Sequence, residues 1–138
     1  MNYKIIAKYI KNIDFDINEP NTFLSLTKDI SNYKFKIDIK SNPFKDNIIE
    51  VQTTLALVPK DDVYKNLNAT VTFSTLVELD KKMREKKELE KIILIEVPKE
   101  IYPDLRKIFI LVFESSGFRE IKIDENIDFK KLYLSRKN

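Results

Sequence analysis

The sequence predicts an α+β domain in which a mainly antiparallel four-stranded sheet packs with one long helix and a short C-terminal helix. Three observations carry that expectation. Apolar residues recur at every second position through the middle of the chain, the connections between those runs are short, and the period changes to three and four residues towards the end.

Taken in order, residues 33–40 place Tyr33, Phe35, Ile37 and Ile39 against Lys34, Lys36, Asp38 and Lys40, a half-buried strand. SNPFKDN then signals a turn. Residues 48–58 repeat the alternation with Ile49, Val51, Thr53, Leu55 and Leu57, and residues 67–79 extend it through Leu67, Ala69, Val71, Phe73, Thr75, Val77 and Leu79. PKDD turns the chain between them. Such short links exclude parallel crossovers, which need about a dozen residues, so the sheet is expected to be mainly a meander. KKMREKKELEK, residues 81–91, has six basic and three acidic side chains and reads as a solvated helix or mobile loop. KIILIEV, residues 91–97, reads as a short strand covered on both faces and ended by Pro98. From about residue 102 to 116, Leu105, Ile108, Phe109, Val112 and Phe113 form a helical stripe widened by Ile110 and Leu111. Pro103 suits its first turn and Gly117 the left-handed position beyond its end. Phe129, Leu132, Tyr133 and Leu134 give the short last helix.

With 138 residues, 43% hydrophobic and 34% charged, the chain is long enough for one core and is expected to be a single domain: 1–32 an apolar flap or crossover, 33–97 the sheet, 98–138 the helices. The net charge of +3 lacks the excess of a nucleic-acid binder. No His and no Cys exclude zinc sites and Ser-His or Cys-His catalysis, and a single Gly excludes the glycine-rich phosphate loops, so no cofactor is expected. Neither a signal-like opening nor an 18-residue apolar run is present, which predicts a cytoplasmic protein that does not insert into membranes.

Acid pairs at Asp14 and Asp16, Asp61 and Asp62, and Asp124 and Glu125 suit solvated or capping roles better than acid-base chemistry, since they sit in turns or beside lysines. Enzyme activity is therefore not expected. The broad stripe of Ile108, Phe109 and Val112 is expected to pack on the sheet and on another subunit. YIKNIDFDINEPNTFLSL is apolar without a clean period. It is either a loop plugging the core or an irregular flap over an apolar groove.

YIKNIDFDINEPNTF resembles the opening signature of the SecB protein-export chaperones. EVPKEIYPDLRKIFILVFESSGF is similar to that family's proline-containing entrance to its long helix, with Pro98, Tyr102, Pro103, Arg106 and Gly117 in matching places. ENIDFKKLYL resembles its final Asn, Phe, hydrophobic pair and aromatic. The likeness spans roughly residues 9–134.

The resemblance implies a cofactorless cytoplasmic holdase, a homotetramer built as a dimer of dimers, that binds unfolded preproteins along apolar grooves and passes them to SecA. It implies client contacts at Ile13, Phe15 and Phe23 facing Phe129, Leu132 and Tyr133, with Ala69 and Val71 at a groove or subunit interface. Asp16 keeps one acid of the SecA-contact pattern, whereas Asn12, Asn68 and Thr70 replace acidic, hydrophobic and acidic residues, and the tail ends in Arg136 and Lys137 instead of acids. Client holding is thus better supported than SecA delivery. A SecB-like chaperone dedicated to one partner such as an antitoxin, and a domain binding a small molecule or lipid, are the alternatives.

Overall fold

The computed structural model describes residues 2–28, 33–59, 67–81, 85–118 and 121–137. The elements run β1 (Tyr3–Ile17), α1 (Pro20–Lys28), β2 (Tyr33–Lys45), β3 (Ile48–Pro59), β4 (Leu67–Leu79), α2 (Lys86–Lys91), a π-helical turn (Ile92–Glu96), α3 (Val97–Ser115) and α4 (Phe129–Lys137). The turn expected at 60–62, residues 1 and 29–32 of the flap, residues 82–84 and the side chains of Arg136 and Lys137 lie outside the described residues.

The sheet is antiparallel with four strands in the order β1-β4-β3-β2. As expected, β2, β3 and β4 form a meander. The fourth strand, however, comes from the N-terminus and not from residues 91–97, so the expected irregular flap is mostly β1 followed by α1. Bulges between Ile5 and Ala7 and between Ile10 and Asn12 explain why β1 has no visible period. Each extra residue flips the pleat, so the set paired with inward residues of β4 runs Tyr3, Ile5, Lys8, Ile10, Ile13, Phe15, Ile17.

Residues 91–97 are helical because an all-round apolar run fits a buried helix as well as a strand. Residues 86–115 form one continuous 30-residue helix interrupted only by the π turn, where the Val97 N–H donates to the Ile92 carbonyl. Pro98 follows at once. It cannot donate, and its ring would strike the carbonyl four residues back in an α-helix, so the wider turn relieves the clash. Pro98 therefore sits near the start of α3 rather than ending a strand, and Pro103 lies inside the helix rather than in its first turn. The β2–β3 turn is tighter than SNPFKDN suggests: β2 continues to Lys45, and Asp46 takes a positive φ of 50°.

Beneath α3, the inward residues Val51, Leu55, Val71 and Val77 meet Val97, Ile101, Leu105, Phe109 and Phe113 from the helix. Thr53 and Thr75 are fully buried on the same side, and their hydroxyls have no hydrogen-bond partner among the described residues. The helix ends as the sequence predicts. Gly117 adopts φ 111°, its N–H donates to the Glu114 carbonyl, and the Phe118 N–H donates to that of Phe113, the six-to-one closure of a left-handed cap. The next stretch is tied to α3 by Arg106, whose Nε donates to the Ile123 carbonyl at 3.0 Å, and by the Tyr102 hydroxyl, which donates to that of Asp124. Burial raises the Tyr102 pKa. Asp128 caps α4 by accepting from the Lys131 N–H at 3.0 Å. No helix among the described residues is long and apolar enough to cross a membrane.

Candidate functional site

Two apolar sites flank the long helix, one at each end of α3. At the C-terminal end, aromatic rings form a connected chain. Phe113 is fully buried and touches Phe15 edge-on at 5.0 Å, Phe109 at 5.0 Å and Phe118 at 5.4 Å; Phe109 meets Phe35 at 5.7 Å, and Phe118 meets Phe23 at 4.8 Å. A side chain at Gly117 would lie 3.3 Å from the Phe23 ring, so the glycine serves both the cap and the seat of α1. Phe15 and Phe23 are half-buried here, while Ile13 is 46% exposed.

At the other end, Ile37 and Ile39 of β2, Leu94 of the π turn, and Phe129, Leu132 and Tyr133 of α4 line an apolar crevice of about 40 Å³. Alternation on β2 points the two isoleucines to the helix side, and the π turn presents Leu94 to α4. Phe129 is buried against Tyr102, with ring centres 6.0 Å apart, and anchors α4. Tyr133 fastens it by donating to Glu90 Oε2 at 2.7 Å.

The six residues expected to contact clients thus form two groups that do not face one another within a protomer. Phe113 and Tyr102, to which the groups attach, are about 16 Å apart along the helix axis. Phe129 is core, while Leu132 and Tyr133 are half-buried crevice walls. Ala69 and Val71 under α3, and Phe109 on its inner face, are 1–2% exposed, so within the protomer they are core; Ile108 and Val112 keep surface on the helix flank. Sequence reasoning took Ile37 and Ile39 only as a buried face and missed Leu94, which it placed in a strand. Their shared position beside the Phe, Leu and Tyr of α4 is visible only in three dimensions.

Asn12, Asp16, Asn68 and Thr70 do come together, on the outer face of the β1–β4 pair. Asp16 is opposite Asn68, Asp14 opposite Thr70 and Asn12 opposite Thr72. Asn68 Nδ2 donates to Asp14 Oδ2 at 3.2 Å, so the patch retains two acids in a neutral surround.

The same face holds a cluster the sequence did not single out. Glu50 accepts from Lys11 Nζ at 2.8 Å, Ser74 Oγ at 2.6 Å and Gln52 Nε2 at 3.0 Å, joining β1, β4 and β3. Lys11 is the extra residue of the second bulge, which frees it to reach across β4. Hydrogen bonds from Lys11, then Ser74, then Gln52 lower the Glu50 pKa to about 2, against burial, which raises it. A carboxyl depressed in the fold stabilises above its unfolded pKa and loses that contribution as pH falls through the folded one. The full shift corresponds to about 3 kcal/mol. Because Lys11 is 41% exposed, screening brings this to roughly 1–2 kcal/mol. Glu50→Gln should therefore be less stable than the parent by that amount at neutral pH, with the gap closing between about pH 5 and pH 2. Unfolding curves over that range check it, and a gap unchanged at low pH contradicts it.

Three likenesses to known proteins agree with this architecture. The family model described as preprotein translocase subunit SecB matches residues 1–138. A putative protein-export protein SecB from Pelagibacter ubique (strain HTCC1062) is 41% identical over 137 residues, covering 99% of this chain and 98% of the relative. A SecB-like chaperone of Mycobacterium tuberculosis, solved in complex with a ChAD peptide from the HigA1 antitoxin, superposes with a TM-score of 0.65 at 10% identity, covering 89% of this chain and 90% of that one. The third is evidence of fold alone, but the whole-length family match and the 41% identity show that the chain belongs to the SecB family of preprotein translocase subunits.

Proposed function

We propose that this SecB-family chaperone works in the cytoplasm as a homotetramer, holding unfolded preprotein segments in the crevice between β2, the π turn and α4. The observation that carries the reading is the position of that crevice beside β2, which ends the sheet and has no strand on its outer side among the described residues. An extended chain can pair with such an edge while its side chains enter the apolar gap, so that main-chain hydrogen bonds supply much of the affinity.

Assembly is supported by the opposite edge. β1 exposes Ile6, Tyr9, Ile10 and Ile13, each 41–47% accessible, and Leu111 on α3 is 57% exposed. Apolar edges of this kind are ordinarily covered. The Phe15 and Phe23 cluster, with Ile13 beside it, provides a second surface for client side chains. Delivery to SecA through the patch of Asn12, Asp16, Asn68 and Thr70 would rest on Asp16 and the neighbouring Asp14. That weak patch favours, as a second reading, a chaperone serving one dedicated partner; the Mycobacterium tuberculosis neighbour was solved with an antitoxin peptide.

Light scattering should give about 66 kDa, four times the 16.4 kDa chain, and the protein should suppress aggregation of a chemically unfolded client. A 16.4 kDa species that leaves aggregation unchanged contradicts the proposal. Capture of one stoichiometric partner in place of many precursors selects the second reading.

A further inference from the structure

We propose that the crevice selects extended segments in which apolar residues alternate with acidic ones; this rests on the client-holding reading above. Pleating of β2 separates its side chains cleanly. Ile37 and Ile39 reach the crevice, whereas Lys34, Lys36, Asp38 and Lys40 stand exposed on the other face.

The outward row carries three cations and one anion, and that anion, Asp38, is 3.8 Å from Lys36. The residues of β3 opposite the lysines, Val58, Ala56 and Gln52, are uncharged, as is Thr54 opposite Asp38. On the far wall, exposed Lys130 and Lys131 of α4 are balanced by Asp128 at its start and by Glu90, which accepts from the Tyr133 hydroxyl. The net positive charge therefore lies on the outer face of β2, alongside which a bound strand would run.

A strand added to β2 has the same two-residue period. Side chains on its inner face meet the apolar gap, and those on its outer face come beside Lys34, Lys36 and Lys40. Acidic residues gain cross-strand pairs there, and basic ones are repelled. Edge lysines deter neutral and basic strands from pairing, and the same charges favour an acidic strand. Several exposed pairs together, each weak, amount to about a tenfold preference for the acidic segment over the basic one.

The test uses the unmodified protein and labelled peptides of about ten residues with leucine at alternate positions and Glu, Gln or Lys between. Fluorescence anisotropy at low salt should rank Glu above Gln above Lys, with the order compressed at about 0.5 M salt. Lys36→Glu combined with Lys40→Glu should reverse the ranking. Equal affinities, or tightest binding of the Lys peptide, overturn the proposal. If none of the peptides binds while aggregation of an unfolded protein is still suppressed, the charge preference fails and client holding stands. Loss of both removes both readings.

Discussion

Phe113→Ala should cost about 3–5 kcal/mol, the upper range for truncating a buried side chain. Its ring is fully buried and is the common neighbour of Phe15, Phe109 and Phe118, so its removal opens a cavity among three rings that cannot all collapse into it. The effect is not confined to the core. Phe15 belongs to β1 and Phe118 to the cap of α3, and Phe118 in turn supports Phe23 of α1. Losing this hub loosens the edge strand and the N-terminal helix together. Urea unfolding at one fixed protomer concentration measures the cost, because subunit association would otherwise shift the midpoint. A double-mutant cycle with Phe15→Leu should give a coupling of about 0.5–1.5 kcal/mol from the edge-on pair. A cost of Phe113→Ala below about 1 kcal/mol would mean that the rings do not pack as a unit.

That dependence explains what the sequence could and could not disclose. β2 as far as Pro43, β3 and β4 were legible because each keeps a period of two and buries one face under a helix, as the alternation of Ile37, Val51 and Val71 with polar neighbours records. In β1 the same rule holds in space but not along the chain, since two bulges move the inward set from odd to even positions and back. Residues 92–96 failed for the opposite reason. Ile92 is buried and Ile93, Leu94 and Ile95 are half-buried, so packing on several sides leaves no polar stripe from which to read a period. Tyr102 and Arg106 matched a family pattern with no mechanism attached. The structure supplies one, because both donate to backbone carbonyls that turn the chain back towards α4. The site was half legible: Leu132 and Tyr133 were named, but their partners Ile37 and Ile39 looked like ordinary core residues. Only the end of the sheet, where β2 has no further strand beside it among the described residues, leaves them a gap to line.

Leu132→Asp should reduce client holding at least tenfold while leaving the protein folded. Leu132 is half-buried, facing the gap shared with Ile37, Ile39 and Leu94. Burying a client Leu or Phe there is worth about 1.5–3 kcal/mol, and each 1.4 kcal/mol lost is tenfold in affinity. A carboxylate on the wall removes that gain and adds the cost of desolvating its charge when a client closes over it. Folding survives because α4 has other anchors, Phe129 against Tyr102 and Tyr133 on Glu90, neither of which passes through Leu132. Phe15→Asp provides the contrast. Its ring rests on Phe113, so that change should lower stability as well as any binding at the aromatic site. The measurement is the ratio of chaperone to unfolded client needed for half-suppression of aggregation, alongside a melting curve for each variant. Should Leu132→Asp prove unstable, Leu132→Asn carries the same test without the charge. A folded Leu132 variant that holds clients as well as the parent would remove the crevice from the mechanism and leave the aromatic cluster at the other end of α3 as the client surface.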